Sequence, residues 1–261
     1  MNKPVRNDGT VGKALEVLDL VASFDRPVRF SELLVQTDYP KASLYRFLQT
    51  LTNQGMLSYD AQTQAYAPGL RLVRLAHSAW RQSSLAPIAR PFVDDLAAHV
   101  GEAVHLAQLD NGHVLFVDKR KTTDVFETLA QTGKVAPAYC TGVGKAILAF
   151  MTPERRDRAI LQQSFMAYTP ATHQNADTLR NELDQIAGDG FAFDREEHER
   201  GIISIAAPIL PPSGIVVGAV SIATSTSRHG LDDLNAFRDA LTTTTQKIAS
   251  AIDTWQFPSQ P

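Results

Sequence analysis

The stretch that decides the fold runs from Phe30 to Tyr66 and reads FSELLVQTDYPKASLYRFLQTLTNQGMLSYDAQTQAY. Its order predicts a short helix that starts at Ser31, whose hydroxyl can cap the first turn, followed by a turn. Pro40 then opens a second helix, because proline suits the first helical position. Four apolar side chains of that helix recur at helical spacing and form one buried stripe: Leu44, Phe47, Leu48 and Leu51.

The opposite face of the second helix carries side chains that can read DNA. They are small, cationic or hydrogen-bonding: Lys41, Ala42, Ser43, Tyr45, Arg46 and Gln49. A helix that enters the major groove needs such a face, because arginine binds guanine edges or phosphates and hydroxyls or amides bind either. Residues 56–59 and 64–67 can pair as a hairpin, which completes the order of a winged helix-turn-helix. The alternative is a structural three-helix module whose polar face is only solvated.

Charge is unevenly divided along the 261 residues. The net charge is −3, but residues 1–82 hold 10 Lys and Arg against 7 Asp and Glu, whereas the rest hold 15 against 21. The basic excess therefore lies with the helix-turn-helix, as a double-stranded DNA partner requires. Because this excess is small, tight binding needs several modules for each DNA site, and we expect at least a homodimer.

The N-terminus and the cysteine content predict a cytoplasmic protein. The polar start MNKPVRNDGT lacks the apolar core of a signal peptide, and no apolar run is long enough for a membrane span. No membrane partner is therefore expected. Cys140 is the only cysteine, which excludes an intrachain disulfide and fits the reducing cytosol.

Past the hairpin, the sequence predicts a linker helix and then a second domain. Helical spacing over 69–85 places apolar residues on two sides, so this helix is buried on both sides or packs against a partner chain. The predicted segments are a winged helix-turn-helix domain at 10–68, the linker helix at 69–85 and an α+β domain with a largely antiparallel sheet at 86–257.

The α+β domain is expected to alternate short strands and helices around one Asp110-Asn111-Gly112 turn. The expected strands are 103–107, 114–117, 202–208 and 215–223, with strand-like pieces between 126 and 139. The expected helices are 88–100, 143–151, one from 153, 176–186 and 231–255.

The last two expected strands have one bulky face and one small face. Alternation places Ser204 and Ala206 together on one strand, and Ser221 and Ala223 together on the next. Small residues on a covered face leave room for either a close-packed helix or a ligand, and the pattern alone does not choose. The run Thr141-Gly142-Val143-Gly144 favours a ligand, because glycines at a helix start expose N–H groups that suit the carboxylate of a small organic acid.

Enzyme signatures mostly fail, so no catalytic residue, cofactor or metal is assigned. The run TGVGKA at 141–146 lacks the first glycine and the hydroxyl residue of a Walker loop, and it does not fit the dinucleotide-binding pattern. The seven histidines include no H-x-x-x-H pair, which argues against a dedicated metal site. A small-acid hydrolase or isomerase that uses His105 or the acidic run 194–199 is the enzyme alternative.

Four stretches resemble, in order, the isocitrate lyase regulator (IclR) family of bacterial transcription factors. They are GTVGKALEVLDLVASF, ELLVQTDYPKASLYRFLQTLTNQGMLSYDAQTQAYAPG, APAYCTGVGKAILAFM, and GFAFDREEHERGIISIAAPI followed by VVGAVSIA. The resemblance covers about residues 10–255. It implies a winged helix-turn-helix, a linker helix and a GAF-like domain that binds small effectors, commonly acids or aromatics. It also implies a homodimer or a homotetramer.

The resemblance further implies where an effector binds. The family's pocket lies beside the start of the GKA helix and the last two strands, which points here to Gly144, Asp194, Ser204, Ser221 and Ala223. Thr141 and Gly142 complete the predicted effector-binding set. Ser204 stands where the family often has Cys, so the identity of the effector does not transfer.

The sequence therefore predicts an effector-responsive, DNA-binding transcriptional regulator of a catabolic operon that senses a small organic or aromatic acid. The alternatives are the small-acid enzyme and a constitutive DNA binder without an effector. The operator, the target genes and the choice between repression and activation stay open.

Overall fold

The computed structural model describes residues 9–83, 85–120 and 128–252, with the side chains of 80–83 excepted. Contacts divide the chain between Gln82 and Ser83 into two compact units. The fold class is as predicted: a helix-turn-helix unit with a small wing precedes an α+β unit with an antiparallel sheet. None of the helices in these ranges combines the length and the apolar content that a membrane span requires.

The first unit consists of four helices and a small antiparallel sheet in its described part. The helices are α1 (Gly9–Ala22), α2 (Phe30–Val35), α3 (Lys41–Asn53) and α4 (Leu70–Ser83). The strands are β1 (Val28–Arg29), β2 (Leu57–Asp60) and β3 (Ala65–Pro68), in the order β1-β3-β2. The wing hairpin was expected, but β1 was not, because two residues are too few to show an alternating pattern.

The predicted stripe of α3 is buried in the core of this unit. Leu44 and Leu48 are fully buried, and Phe47 and Leu51 are nearly so. The helix starts differ from the expectation by about one residue. Ser31 does not cap α2, because the helix begins at Phe30 and the Glu32 carboxylate accepts from the Arg29 N–H at 2.9 Å. Pro40 precedes α3 with an extended ψ of 142°.

The second unit is built on a six-stranded sheet in the order β6-β5-β4-β9-β8-β7, in which all described pairs are antiparallel. The strands are β4 (Ala103–Asp110), β5 (His113–Arg120), β6 (Val135–Pro137), β7 (Ala192–Arg195), β8 (Ile202–Ile209) and β9 (Gly218–Ser225). The predicted turn joins β4 to β5, with positive φ angles at Asn111 and Gly112. Strand β7 was not predicted, because its four residues AFDR show too little alternation.

Helices cover both faces of this sheet. They are α5 (Ala86–Val100), α6 (Gly142–Ala149), α7 (Pro153–Leu161), α8 (Ala176–Asp189) and α9 (Arg238–Ile252). Helices α5 and α9 contact each other and strands β4, β8 and β9, while α6 contacts both the sheet and α8. The predicted helix from Leu231 was wrong at its start, because Asp232–Phe237 form a 3-10 helix before α9. Its predicted end at Trp255 and the expected strand piece at 126–127 lie outside the described residues.

Candidate nucleic-acid interface and ligand cavity

Helix α3 presents the predicted DNA-reading residues away from its own core. Lys41, Ala42, Tyr45, Arg46 and Gln49 are exposed, and Ser43 is half-buried. The Tyr45 side chain is 54% exposed, and its ring meets the Phe30 ring edge-on at 6.3 Å. The packed stripe therefore fixes the helix axis, while a polar face with one arginine stays free for a partner.

The second unit contains a cavity at one end of the sheet face that carries the small Ala and Ser side chains of β8 and β9. Its volume is about 40 Å³, measured as the space open to the centre of a water molecule. Of the predicted effector residues it brings together Thr141, Gly142, Asp194, Ser204, Ser221 and Ala223. Eight further residues of the wall were not in the predicted effector-binding set: His105, Phe116, Thr128, Ala130, Val143, His198, Glu199 and Ile202.

Strand register explains why those small residues meet at the cavity. Ser204 pairs with Ala223, and His105 pairs with Ser221. Farther along the same face, Ala206 and Ala219 lie in the core that α6 forms with the sheet. The two alternatives left by the sequence pattern therefore both occur: one end of the face is covered by a helix, and the other end lines a cavity.

The start of α6 places backbone donors at the cavity. Thr141 caps the helix, because its hydroxyl accepts from the Gly144 N–H at 3.3 Å and donates to the Pro137 carbonyl at 2.9 Å. In the described ranges no protein group accepts from the N–H groups of Gly142 and Val143. Free N–H groups at a helix N-terminus favour an anion, since the helix dipole adds partial positive charge there.

Gly144, which was predicted to bind the effector, does not line this cavity. A Cβ atom at Gly144 would lie 2.4 Å from the Ala138 carbonyl oxygen, and its N–H is already bound to Thr141. The glycine is therefore required for close backbone packing. Gly142 does border the cavity, and a Cβ there would lie 2.7 Å from the Ser204 Oγ.

His105 lies in the cavity wall within a chain of hydrogen-bonding groups. Its Nδ1 is 3.4 Å from the Ser221 Oγ, and its Nε2 is 3.2 Å from the Thr128 Oγ1. Lys119 donates to that threonine oxygen at 2.8 Å. Burial, and then the charge of Lys119, lower the pKa of His105 to about 3. The imidazole is therefore neutral near pH 7, and each of its two nitrogens is hydrogen-bonded to a hydroxyl group.

Asp194 is a buried acid of the cavity wall whose pKa is shifted. Burial first, and then the charge of Glu197, raise the pKa of Asp194 to about 7. The charge of Lys145 and backbone hydrogen bonds from Glu197 and His198 oppose that rise. The Glu197 N–H donates to the Asp194 Oδ1 at 2.8 Å, so the loop after β7 fixes the orientation of this carboxyl group.

Family models match both units of the chain. The model described as the IclR helix-turn-helix domain matches residues 10–61. The model described as the C-terminal part of the bacterial transcriptional regulator IclR matches residues 77–250. The chain belongs to the IclR family. The resemblance read from the four sequence stretches is therefore confirmed.

Individual relatives agree with this assignment. The HTH-type transcriptional regulator BhcR of Paracoccus denitrificans is 30% identical over 88% of this chain and 82% of its own length. The IclR crystal structure of Thermotoga maritima has a TM-score of 0.71 and 27% identity, and covers 92% of this chain and 97% of its own. An IclR homolog from Microbacterium hydrocarbonoxydans, complexed with 4-hydroxybenzoate, has a TM-score of 0.77, 21% identity and coverage of 94% and 99%.

These matches set aside the enzyme alternative. The family and the relatives that match this chain are transcriptional regulators and not enzymes. The acidic run that supported the alternative forms no pair of catalytic carboxylates. Its members have separate partners: Glu197 binds Lys145, Glu196 accepts from the Gly201 N–H at 2.7 Å, and Glu199 accepts from the Leu129 N–H at 3.0 Å.

Behind the cavity, this IclR-family chain buries an ion-pair cluster. The fully buried Lys145 of α6 binds Glu197 and, at 2.9 Å, Glu182 of α8. Arg195 and His173 also bind Glu182, at 2.7 and 2.5 Å. Burial by itself would raise the pKa of Glu182, but these hydrogen bonds and charges lower it to about 2.

The same cluster could be mistaken for a metal site. His173, Glu182 and Glu197 bring possible ligand atoms within 4.8 Å of one another. The Lys145 ammonium binds both carboxylates, however, and thus takes the place that a cation would need. These contacts favour an ion-pair cluster over a metal site, because a second cation beside Lys145 and Arg195 would be repelled.

Proposed function

We propose that this protein is an effector-responsive transcriptional regulator of a catabolic operon. In this proposal α3 reads operator DNA and the cavity binds a small carboxylate. The observation that carries the proposal is the set of unpaired donors at the cavity. The N–H groups of Gly142 and Val143 and the Ser204 Oγ have no protein partner in the described ranges, although Ser204 is only 6% exposed. Donors that face a cavity are free to bind a ligand, and a carboxylate would accept hydrogen bonds from them.

The cavity also limits the size of the effector. A volume of about 40 Å³ holds roughly three or four water-sized groups. Acetate, which has four non-hydrogen atoms, therefore fits the cavity as it stands. The Microbacterium homolog holds 4-hydroxybenzoate, an aromatic acid, and an acid of that size would require the wall of this cavity to move.

A ligand panel tests the cavity assignment. The full chain would be melted with acetate, propionate, lactate and 4-hydroxybenzoate, and with acetamide as the uncharged control. An acid at a hundredfold excess over its Kd adds about 2.7 kcal/mol of stability. We expect at least one acid to raise the melting temperature and acetamide to leave it unchanged. A panel with no shift would contradict an acid effector.

The DNA assignment is tested at Arg46. Arg46→Ala should weaken binding to DNA selected from a random-sequence pool by about 1–3 kcal/mol and relax the preference at one base pair, if the contact is to a guanine. Arg155→Ala removes the same charge from an exposed position of the second unit and should have little effect. A uniform loss with a shallower salt slope would reassign Arg46 to a phosphate, and no loss would remove α3 from the interface.

The proposal includes a homodimer or homotetramer in the cytoplasm. Leu70 and Val73 of α4 are 86% and 65% exposed within one chain, so this helix has apolar surface for a second copy. Paired half-sites also multiply the few phosphate contacts of one module. Sedimentation at micromolar concentration should give at least a dimer, and a stable 28.5 kDa monomer would contradict this part.

A further inference from the structure

The cavity that would hold a carboxylate already contains one. Asp194 is 7% exposed and lines the same small space as the free N–H groups of α6 and the Ser204 hydroxyl. In a cavity of about 40 Å³, the carboxylate of a ligand bound to those donors would lie against Asp194. Two carboxylates that share a buried site cannot both stay ionised, because their repulsion is not screened by water.

The charges around Asp194 do not remove this conflict. Glu197 and Glu199, which follow it in the chain, add negative charge. The Lys145 ammonium of α6 is held by Glu182 and Glu197, and the Lys119 ammonium of β5 donates to the Thr128 and Ala130 oxygens at 2.8 and 2.6 Å. The neighbouring His105 and His198 are neutral at pH 7, because burial lowers the pKa of each. Burial also raises the pKa of the Cys140 thiol, which stays uncharged.

We propose that the cavity binds its effector as a carboxylate together with one proton from solution, which Asp194 holds in the complex and donates in a hydrogen bond to the ligand. This inference rests on the proposed function of the cavity as a site for a small acid. It assigns the site a proton-coupled chemistry: the ligand keeps its charge for the N–H groups of Gly142 and Val143, and Asp194 becomes a neutral donor.

The unliganded protein is poised for this step. Burial, and then the charge of Glu197, place the pKa of Asp194 at about 7, so the group is mostly ionised above that pH. A bound anion adds a second negative neighbour and raises the pKa further. Binding above about pH 7 must then take up a proton, and affinity falls as the pH rises.

The experiment measures the affinity of the full chain for acetate, propionate, lactate and 4-hydroxybenzoate between about pH 6 and pH 9. The wild-type Kd should rise about tenfold for each pH unit above about pH 7. In Asp194→Asn, whose amide is a permanent neutral donor of the same shape, the Kd should be independent of pH. Asp184→Asn, the same change at an exposed carboxylate of α8, should keep the wild-type slope.

Calorimetry in two buffers with different ionisation enthalpies counts the protons directly in the wild type. About one proton for each bound acid is expected near pH 8, and this measurement remains valid if Asp194→Asn fails to fold. An acid that binds without proton uptake would overturn this inference and leave the proposed function intact. A slope that disappears in Glu199→Gln and persists in Asp194→Asn would overturn the assignment to Asp194. No binding of any acid would overturn both proposals.

Discussion

The two ends of one sheet face differ, although the same kinds of small residue line both. At one end Ala206 and Ala219 lie under α6 in a filled core. At the other end Ser204 and Ala223 line the cavity. The difference arises because α6 begins at Gly142, and its side chains fill only the part of the face beyond that point. Small side chains therefore permit close approach, but the position of the covering helix decides whether space remains.

The two glycines at the start of α6 repeat this contrast. Gly144 faces the backbone of Ala138, whereas Gly142 faces the hydroxyl of Ser204 at the edge of the cavity. Both residues give the same signal in the sequence. Only at Gly144 would a Cβ atom meet a backbone atom, the Ala138 carbonyl oxygen, which cannot move without shifting the chain.

The largest expected effect comes from substituting these glycines. Gly144→Ala would place a Cβ 2.4 Å from a carbonyl oxygen, and should lower the free energy of unfolding by about 3 kcal/mol. Gly142→Ala, the matched control, meets only the end of a serine side chain and should cost about 1 kcal/mol or less. Urea denaturation followed by circular dichroism measures both values. Equal losses would mean that the two glycines do not differ in packing.

A pair of alanine substitutions tests the two ends of the face directly. Ala206→Val overpacks the covered end and should lower the free energy of unfolding by about 1–3 kcal/mol. Ala223→Val adds the same two methyl groups at the cavity and should cost less than about 1 kcal/mol, since it fills open space. The second variant should lose the acid-induced rise in melting temperature. Similar losses of unliganded stability would contradict the cavity.

The last expected effect is a change in the pH dependence of stability, which is spread over several pH units. The unfolded chain protonates His105 below its ordinary pKa of about 6.5, whereas the folded chain does so only near pH 3. The histidine therefore contributes stability above pH 6.5 that is lost as the pH falls toward 3.

His105→Gln removes this titration. The wild-type free energy of unfolding, minus that of the variant, should fall by at most about 1.4 kcal/mol for each pH unit below about 6.5. Urea melts between about pH 4 and pH 7 measure it. If the difference in free energy of unfolding between wild type and variant does not change with pH, water reaches the imidazole and His105 is not buried from solvent.

Part of this structure could be predicted because it depends on neighbours in the sequence. The helical spacing of Leu44, Phe47, Leu48 and Leu51 determined which face of α3 is buried and which is exposed. The turn at Asn111-Gly112 could be predicted from the sequence because both residues tolerate positive φ angles. The alternation of β8 and β9 also predicted that Ser204, Ser221 and Ala223 share a face.

The tertiary structure decided what the local patterns left open. Gly142 and Gly144 look alike in the sequence, and only the approach of Ala138 and Ser204 separates their roles. Lys145 reads as an ordinary helix residue until α8 and the loop after β7 bring Glu182 and Glu197 to it. The raised pKa of Asp194 likewise requires burial and a nearby charge. Spacing along the chain fixes which residues share a face, but distances between separate elements, and the burial that alters an ionisation, arise only when the elements pack.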